Sequence, residues 1–263
     1  DAKAGEQGRI RMVMGGGQDP ILFDEALKSD LRGALDRGEI EMLFQPQVSI
    51  ASGRITGVEA LARWNHPRFG ALGAATLFAA ADQSDYMTAL SAHIQTAALR
   101  LAARWPDALS TLRLAINITA SDIARPGFGD GFLKLVDSSG FPRGRLTVEV
   151  TENGLASARD AVPHLEALRA DGVRVSLDDF GTGFAPLATL REMPVDELKI
   201  DRTFVRGMAE GARDAALVGG LIRLGHDLGL TVVAEGVETR DGADRLSELS
   251  CDVLQGYLVG RPR

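Results

Sequence analysis

The chain has 263 residues, a length that suits one barrel or two small domains, because barrels typically take about 250 residues. Its 29 basic and 36 acidic residues leave a net charge of −7, which argues against a general nucleic-acid binder. The single cysteine, Cys251, cannot form an internal disulfide, and apolar runs fall short of the roughly 18 residues of a membrane span. We therefore expect a cytoplasmic domain with no membrane segment in this chain, within a parent protein that could be membrane-tethered.

The first elements along the chain are a linker, a helix and a strand. Residues 1–20 contain a run of three glycines and end in a proline, a composition typical of a linker. Apolar residues at four-residue spacing from Phe23 to Leu35 predict a helix that ends near Gly38. Residues 42–48 predict the first strand, with Pro46 closing it.

Seven further strands are predicted, in alternation with helices. The strands are short apolar runs at residues 56–62, 112–118, 146–151, 173–177, 197–200, 231–234 and 252–254. Helical periodicity is clearest at residues 86–105, 158–170 and 213–228. This alternation predicts a mostly parallel sheet, and eight such strands can close into a barrel.

Polar side chains lie at or near the C-terminal ends of these strands. They are carboxylates, amides and one lysine: Glu59, Asn117, Glu149, Asp178, Asp179, Lys199, Glu235 and Gln255. A carboxylate in an apolar run is costly to bury unpaired, so the repeated placement indicates convergence on a common charge. Oxygen ligands without Cys or His favour Mg²⁺ or Mn²⁺ over zinc or copper.

Their position decides between two folds. A (β/α)₈ barrel builds its active site at the C-terminal edge of several strands. A doubly wound open sheet places its site at one switch point. Because nearly every strand carries a polar group, the barrel is favoured.

Each of these residues also has an ordinary structural explanation when taken alone. Glu59 could be a paired strand-end carboxylate, Asn117 a turn or cap residue, and Asp178-Asp179 a turn with a helix cap. Asp179-Phe180-Gly181 also matches a protein-kinase motif, but the accompanying kinase motifs are missing from the sequence. The shared placement of the whole set is what favours a metal site.

Five ordered motifs resemble the EAL-domain family of cyclic di-GMP phosphodiesterases. They are residues 59–64 (Glu-Ala-Leu-Ala-Arg-Trp), 178–183 (Asp-Asp-Phe-Gly-Thr-Gly), 198–202 (Leu-Lys-Ile-Asp-Arg), 234–239 (Ala-Glu-Gly-Val-Glu-Thr) and 255–257 (Gln-Gly-Tyr). The resemblance implies a domain at residues 21–263 with a modified (β/α)₈ TIM-type barrel whose first strand is antiparallel. It also implies hydrolysis of cyclic di-GMP to linear pGpG by water that two divalent cations activate.

The resemblance further implies a role for each polar residue. The ligands of the first metal are expected to be Glu59, Asn117, Glu149 and Asp178. Asp179 resembles the main ligand of the second metal, with Glu235 close to the metal centre. Lys199 resembles the lysine that orients or deprotonates the attacking water, and Gln255 the glutamine that positions water and ligands.

Three more residues match family positions around this centre. Gln45 and Arg63 match residues that contact substrate, Arg63 at a phosphate. Glu152 resembles the glutamate that holds the loop after Asp179. Because side chains alternate along a strand, Glu149 and Glu152 are expected on different faces.

Two stretches depart from the family pattern. After Gly183 the chain has Phe184, Ala185 and Pro186 where the family often carries an aromatic residue and two serines, which could stiffen or misplace the loop after Asp179. Residues 70–87 are unusually rich in alanine. Neither change removes a proposed ligand, so both bear on rate and regulation.

The chemistry explains the choice of residue types. Two closely spaced cations can stabilise charge on the attacking and leaving oxygens when a cyclic phosphodiester opens. Lys199 is then the candidate for proton handling, a role that requires its pKa to be lowered. Ca²⁺ prefers longer bonds and more ligands than Mg²⁺, and we expect it to inhibit.

The sequence also leaves partners and alternative functions open. Residues 1–13 resemble the closing segment of a GGDEF domain, and the chain starts at Asp1, so we expect an upstream GGDEF domain in a longer parent protein. A homodimer is compatible with the resemblance. Besides the phosphodiesterase, the alternatives are a catalytically silent cyclic di-GMP receptor and a Mg²⁺-dependent barrel lyase that uses Lys199 as a base. The complete residue set favours the phosphodiesterase.

Overall fold

The computed structural model describes residues 20–82, 86–152, 154, 161–181, 190–191, 193–209 and 211–263. Most of the predicted linker, the GGDEF-like segment at residues 1–13 and the departure at residues 184–186 lie outside the described residues. Pro20 belongs to the first helix, α1, and the linker prediction is wrong at that residue.

Eight strands form a closed barrel, and a ninth short strand extends it at one edge. In chain order the strands are β1 (Ile40–Ser49), β2 (Ile55–His66), β3 (Gly70–Leu72), β4 (Arg113–Asn117), β5 (Leu146–Thr151), β6 (Arg174–Phe180), β7 (Glu197–Ile200), β8 (Thr231–Ala234) and β9 (Val253–Gln255). Around the ring the order is β1-β2-β4-β5-β6-β7-β8-β9, and β9 pairs back to β1. The closed barrel, which was favoured over an open sheet because nearly every strand carries a polar group, is confirmed.

The first strand runs against the rest of the barrel. β1 is antiparallel to both of its neighbours, β2 and β9, whereas the other pairs in the ring are parallel. β3 adds to β2 as an antiparallel hairpin outside the ring. The expected antiparallel first strand is therefore present.

Pro46 does not close β1 as predicted, because the strand continues to Ser49 and Pro46 pairs with Val58 of β2. The backbone of Phe44 bonds on its other side to the C-terminal residue, with its N–H donating to the Arg263 carbonyl at 3.0 Å. Residues two apart on a strand point their backbone nitrogens to the same side, so the nitrogen of Pro46 also faces away from β2. Its missing N–H therefore removes no bond to β2, which is why a proline is tolerated here.

The two faces of the barrel strands have different chemistry. In β5, Leu146, Val148 and Val150 are buried in the main apolar cluster, which fills the space between the barrel and its helices. The alternate residues Thr147 and Glu149 are also buried, and they point into the barrel because successive side chains alternate. The apolar core is thus outside the barrel wall, and the interior is left for polar groups.

Helices cover the outside of the barrel. They are α1 (Pro20–Ala34), α2 (Ala74–Asp82), α3 (Met87–Ala102), α4 (Ala120–Ile123), α5 (Phe128–Ser139), α6 (Ala161–Ala170), α7 (Arg202–Gly207), α8 (Ala212–Asp227) and α9 (Arg240–Glu248). The alanine-rich stretch noted in the sequence is α2, whose Leu77 is fully buried. Nothing in the described ranges forms a helix with both the length and the apolarity that a membrane span requires.

Candidate active site

The predicted polar residues converge at the C-terminal mouth of the barrel. A cavity of about 560 Å³ opens there, and its lining includes Gln45, Glu59, Arg63, Asp178, Asp179, Glu235 and Gln255. Parallel strands bring their C-terminal ends to one edge, so residues far apart in sequence meet. Asn117, Glu149 and Lys199 contact this lining from within the barrel.

Lys199 is the centre of the cluster. It lies on β7, its side chain is fully buried, and its ammonium contacts four carboxylates. The Nζ atom is 2.7 Å from Glu235, 2.9 Å from Glu149, 3.2 Å from Asp178 and 3.4 Å from Glu59. Burial lowers the pKa of the Lys199 ammonium, but these carboxylates outweigh it and raise that pKa well above its usual value. In this arrangement Lys199 is a charged donor, and base function would require fewer carboxylate contacts.

Glu59 is fixed by donors on several sides. Asn117 donates to its Oε1 at 3.0 Å, and Gln255 and Lys199 reach its Oε2. Burial opposes ionisation, but Lys199 and the two amides overcome it, so the pKa of Glu59 is lowered. Glu59 and Asn117, two of the predicted ligands of the first metal, are therefore in direct contact.

Glu149 is the least satisfied member of the group. It is fully buried, and apart from the contact with Lys199 its two oxygens accept no well-aligned hydrogen bond from the described residues. Burial first and the charge of Glu59 second raise the pKa of Glu149 well above its usual value. A buried carboxylate whose ammonium partner is shared with three other carboxylates indicates a missing positive charge.

Asp178, Asp179 and Glu235 offer oxygens that all lie within 4.8 Å of one another, close enough to hold one metal ion. β6 extends to Phe180, so Asp178 and Asp179 end a strand and are not the alternative turn. Asp179 has a φ of 54°, a left-handed conformation that Asp tolerates better than most residues. Burial raises the pKa of Asp179 to about 6 and that of Glu235 to about 8.

The charge count of the site fits bound cations. Glu59, Glu149, Asp178, Asp179 and Glu235 together bring five carboxylates to a site whose interior holds one ammonium. Like charges at this density cannot all ionise without further positive charge. The donor set is made of oxygens, which suits a hard divalent cation.

Glu152 lies just beyond β5 and bonds to the chain after β6. Its carboxylate accepts the N–H of Gly181 at 3.0 Å. Gly181 has a φ of 94° and a Cβ there would lie 2.8 Å from the Phe204 ring, so only glycine fits this position without strain. Glu152 thus contacts the segment that follows Asp179, as expected of a loop anchor, while residues 182–189 lie outside the description.

The two predicted substrate contacts lie on the cavity wall. Gln45 is buried and donates to the carbonyl of Gly260 at 3.3 Å. Arg63 is half-buried, and its guanidinium has no carboxylate partner among the residues that the structure describes. An arginine without a carboxylate partner in the described part of the chain, on the wall of this cavity, is a suitable phosphate contact.

Several lining residues received no role from the sequence. Tyr257 and Asp201 lie within quoted motifs, and Arg206 pairs with Glu238 at the rim. Gln47, buried next to the cluster, donates to Gln255. The sequence could have indicated a role for Gln47, because residues 45 and 47 of one strand lie on the same face and Gln45 was a predicted substrate contact.

Comparison with known proteins agrees with this geometry. The profile of the EAL domain matches residues 28–262. The bifunctional diguanylate cyclase/cyclic di-GMP phosphodiesterase MucR of Pseudomonas aeruginosa is 37% identical over 238 residues, which cover 90% of this chain and 35% of MucR. The cyclic di-GMP phosphodiesterase NbdA of the same organism is also 37% identical over 238 residues, 90% of this chain and 30% of NbdA.

A solved structure described as the PaMucR phosphodiesterase in complex with c-di-GMP superposes with a TM-score of 0.85. The two share 36% sequence identity, and the match covers 90% of this chain and 97% of that one. The chain spans about a third of the length of the two curated relatives. Because the EAL-domain profile matches nearly the whole length of the chain, the chain belongs to the EAL domain family.

Proposed function

We propose that this domain is a cyclic di-GMP phosphodiesterase that hydrolyses its substrate to linear pGpG with two divalent cations, Mg²⁺ or Mn²⁺. The observation that carries the proposal is the excess of buried carboxylates around Lys199 at the C-terminal mouth. The cavity beside them has room for a ligand. The names of the family relatives support the choice of substrate.

The proposed cation ligands divide into two groups. Glu59, Asn117, Glu149 and Asp178 would hold one cation, and Asp179 and Glu235 the other. When bound, such cations polarise phosphoryl oxygens and lower the pKa of water.

The other side chains orient the reactants. Lys199, held in place by its carboxylate contacts, orients the attacking water. Arg63 pairs with a substrate phosphate, and Gln45 contacts substrate from the neighbouring strand. Gln255 keeps Glu59 in position through its hydrogen bond. Glu152 holds the backbone that follows Asp179.

The receptor and lyase alternatives have less support. A silent receptor would be expected to lack one or more members of the cluster, but every predicted ligand and the lysine are present and adjacent. A lyase would need Lys199 as a base, which its raised pKa disfavours. No contact in the described residues favours either alternative.

Product analysis in different metals tests the proposal. Cyclic di-GMP is incubated with the protein in Mg²⁺, Mn²⁺, Ca²⁺ or excess chelator, and bound nucleotide and product are separated by chromatography. We expect pGpG with Mg²⁺ and Mn²⁺ and intact bound nucleotide with Ca²⁺. Tight binding without product in any metal would establish the receptor alternative, and rapid cleavage in chelator would contradict the metal requirement.

The parent protein is a further part of the proposal. We propose that it carries an upstream GGDEF domain and that the domain acts in the cytoplasm, either alone or as a homodimer. Sedimentation of the purified domain tests its oligomeric state. The sequence upstream of Asp1 tests the presence of a GGDEF domain.

A further inference from the structure

We propose that Gln47 is a positioning residue that fixes which end of the Gln255 amide faces Glu59. This inference rests on the proposed function, because it concerns the shape of the cation site. Gln47 was not among the residues with a predicted role, and it touches none of the carboxylates in the described contacts. Its effect would pass through Gln255 alone.

The geometry places two amides in series beneath the carboxylate. Gln47 of β1 and Gln255 of β9 are direct Cα partners in the antiparallel pair. The Nε2 of Gln47 donates to the Oε1 of Gln255 at 3.0 Å, and the Nε2 of Gln255 donates to the Oε2 of Glu59. Both glutamines are buried, with 8% and 4% of their surface exposed.

The hydrogen bonds of Glu59 determine which end of the Gln255 amide faces the carboxylate. Its two oxygens accept from Asn117, Lys199 and Gln255, so the amide of Gln255 must present its NH₂ end upward. The carbonyl end then points down and needs a donor, because a buried acceptor without a partner is costly. Gln47 supplies that donor. If the amide of Gln255 were reversed, its oxygen would face the carboxylate oxygen of Glu59.

The neighbouring strand leaves space for this side chain. Gly57 of β2 is the Cα partner of Gln47, and a Cβ at Gly57 would lie 2.9 Å from the Oε1 of Gln47. Gly57 does not have a positive φ, so conformation does not require glycine here. The missing side chain makes room for the Gln47 amide.

A merely structural role for Gln47 makes a different prediction. If Gln47 only filled space, its donor and acceptor character would not matter, and variants of similar size would behave alike. If it fixes Gln255, a donor at position 47 keeps the site and an acceptor spoils it. The variants Gln47→Lys, a pure donor, and Gln47→Glu, an acceptor when ionised, separate the two roles. The cavity beside residue 47, which Asp252 and Ser49 also line, gives either charge access to water.

The readout is Mn²⁺ affinity without nucleotide, measured by the loss of the free-ion EPR signal. Outer partners of metal ligands typically change affinity by about 10–100-fold, and we expect this loss in Gln47→Glu. Gln47→Met, which keeps size and removes both polar ends, should lose about 10-fold. Gln47→Lys should stay close to the wild type. In catalysis the loss should appear in kcat more than in KM, because Gln47 does not touch substrate.

Gln95→Met is the matched control. Gln95 is also buried, and it donates to Ser91 and Asp122, neither of which is a proposed cation ligand. Its replacement should therefore lower thermal stability and leave Mn²⁺ affinity unchanged. If Gln47→Glu fails to fold, Gln47→Met and Gln47→Lys still give the comparison of no donor with a donor.

Equal Mn²⁺ affinities in the wild type, Gln47→Met and Gln47→Lys would overturn the inference, as would equal losses in both variants. Wild-type protein that binds Mn²⁺ but does not cleave cyclic di-GMP would contradict the proposed function and leave the role of Gln47 intact. The two failures are therefore distinguishable.

Discussion

The two mouths of the barrel both hold buried charges, but they satisfy them in opposite ways. At the N-terminal mouth a cavity of about 500 Å³ is lined by Arg113, Arg174 and Glu197. At the C-terminal mouth a cavity of about 560 Å³ is lined mainly by carboxylates, with Arg63, Arg202 and Arg206 also on its wall. Because the volumes are similar, size does not identify the functional end.

The arginines of the N-terminal mouth find their partners within the chain. Arg113 donates to the carbonyls of Gly144 at 2.8 Å and Leu146 at 3.0 Å. Arg174 donates to the hydroxyl of Thr231 at 3.0 Å. Burial, and then the charge of Arg174, lowers the pKa of Arg113, but neither of these two arginines has a buried side-chain atom left without a hydrogen-bond partner.

The carboxylates of the C-terminal mouth do not find enough partners within the chain. Lys199 is shared among four of them, and Glu149 still has no well-aligned donor. The difference indicates that the arginines of the N-terminal mouth are satisfied within the fold, whereas the carboxylates of the C-terminal mouth lack positive charge. This is the physical distinction between a stabilising cluster and a functional site.

The largest effect is expected at Lys199. Lys199→Ala should lower turnover by roughly 10²–10⁴-fold with a much smaller change in substrate binding, because the proposed role of the residue is to orient the attacking water. Lys199→Arg should also fail, since a guanidinium has a different shape and proton chemistry. Steady-state kinetics with the product assay measures both. Equal losses in binding and turnover would indicate a phosphate contact instead.

Glu152 should have the next largest effect. Glu152→Ala removes the acceptor of the Gly181 N–H and so loosens the backbone beside Asp179. We expect Mn²⁺ affinity to fall by about 10–100-fold, as for other outer partners of a metal site. Glu166→Ala, at an exposed position of α6, is the matched control. Unchanged affinity in Glu152→Ala would remove its assignment as an anchor.

Arg113 tests the arginines of the N-terminal mouth, and for this residue the account predicts an effect on stability alone. Arg113→Met leaves two carbonyls without their donor, so the free energy of unfolding should fall by about 1–3 kcal/mol. Mn²⁺ affinity and the turnover of the folded fraction should not change. Urea unfolding and metal titration on the same sample measure the two quantities. A loss of Mn²⁺ affinity would mean that the two mouths are coupled.

Replacement of Glu149 tests whether the carboxylates of the C-terminal mouth repel one another in the absence of metal. Glu149→Gln removes one of five carboxylates, and in chelator at pH 8 we expect the melting temperature to rise by a few degrees, on the order of 1 kcal/mol. With Mn²⁺ the order should reverse, because the wild type gains more from the ion. A lower melting temperature in chelator would show that the cluster is already balanced.

The sequence predicted the strands, the main helices and the location of the site because these depend on local patterns, and it favoured a barrel because nearly every strand carries a polar group. β5, β7 and β8 have the predicted bounds, since short apolar runs between helices leave little freedom. α4 and α7 were missed because helices of 4 and 6 residues are too short to show a period. α5 was missed although Phe128, Phe132 and Val136 lie on one face, so its pattern was available.

The contacts within the site could not be predicted in the same way. The motifs identify Glu59 and Lys199, but only the closed barrel shows that one ammonium serves four carboxylates. The link from Gln47 to Gln255 depends on β9 pairing with β1, a contact between residues 208 positions apart. Closure of the ring is a long-range property that no local pattern carries.

The most direct test of the account is the number of Mn²⁺ ions bound by the metal-free protein at equilibrium. EPR titration of the wild type should show two ions per chain, and Asp179→Ala should lose one of them. Arg113→Met should keep both ions, because Arg113 lies at the N-terminal mouth, where we expect no metal ion to bind. A wild-type protein that binds no Mn²⁺ while folded would contradict the claim that the C-terminal mouth is completed by cations, as would two ions retained by Asp179→Ala.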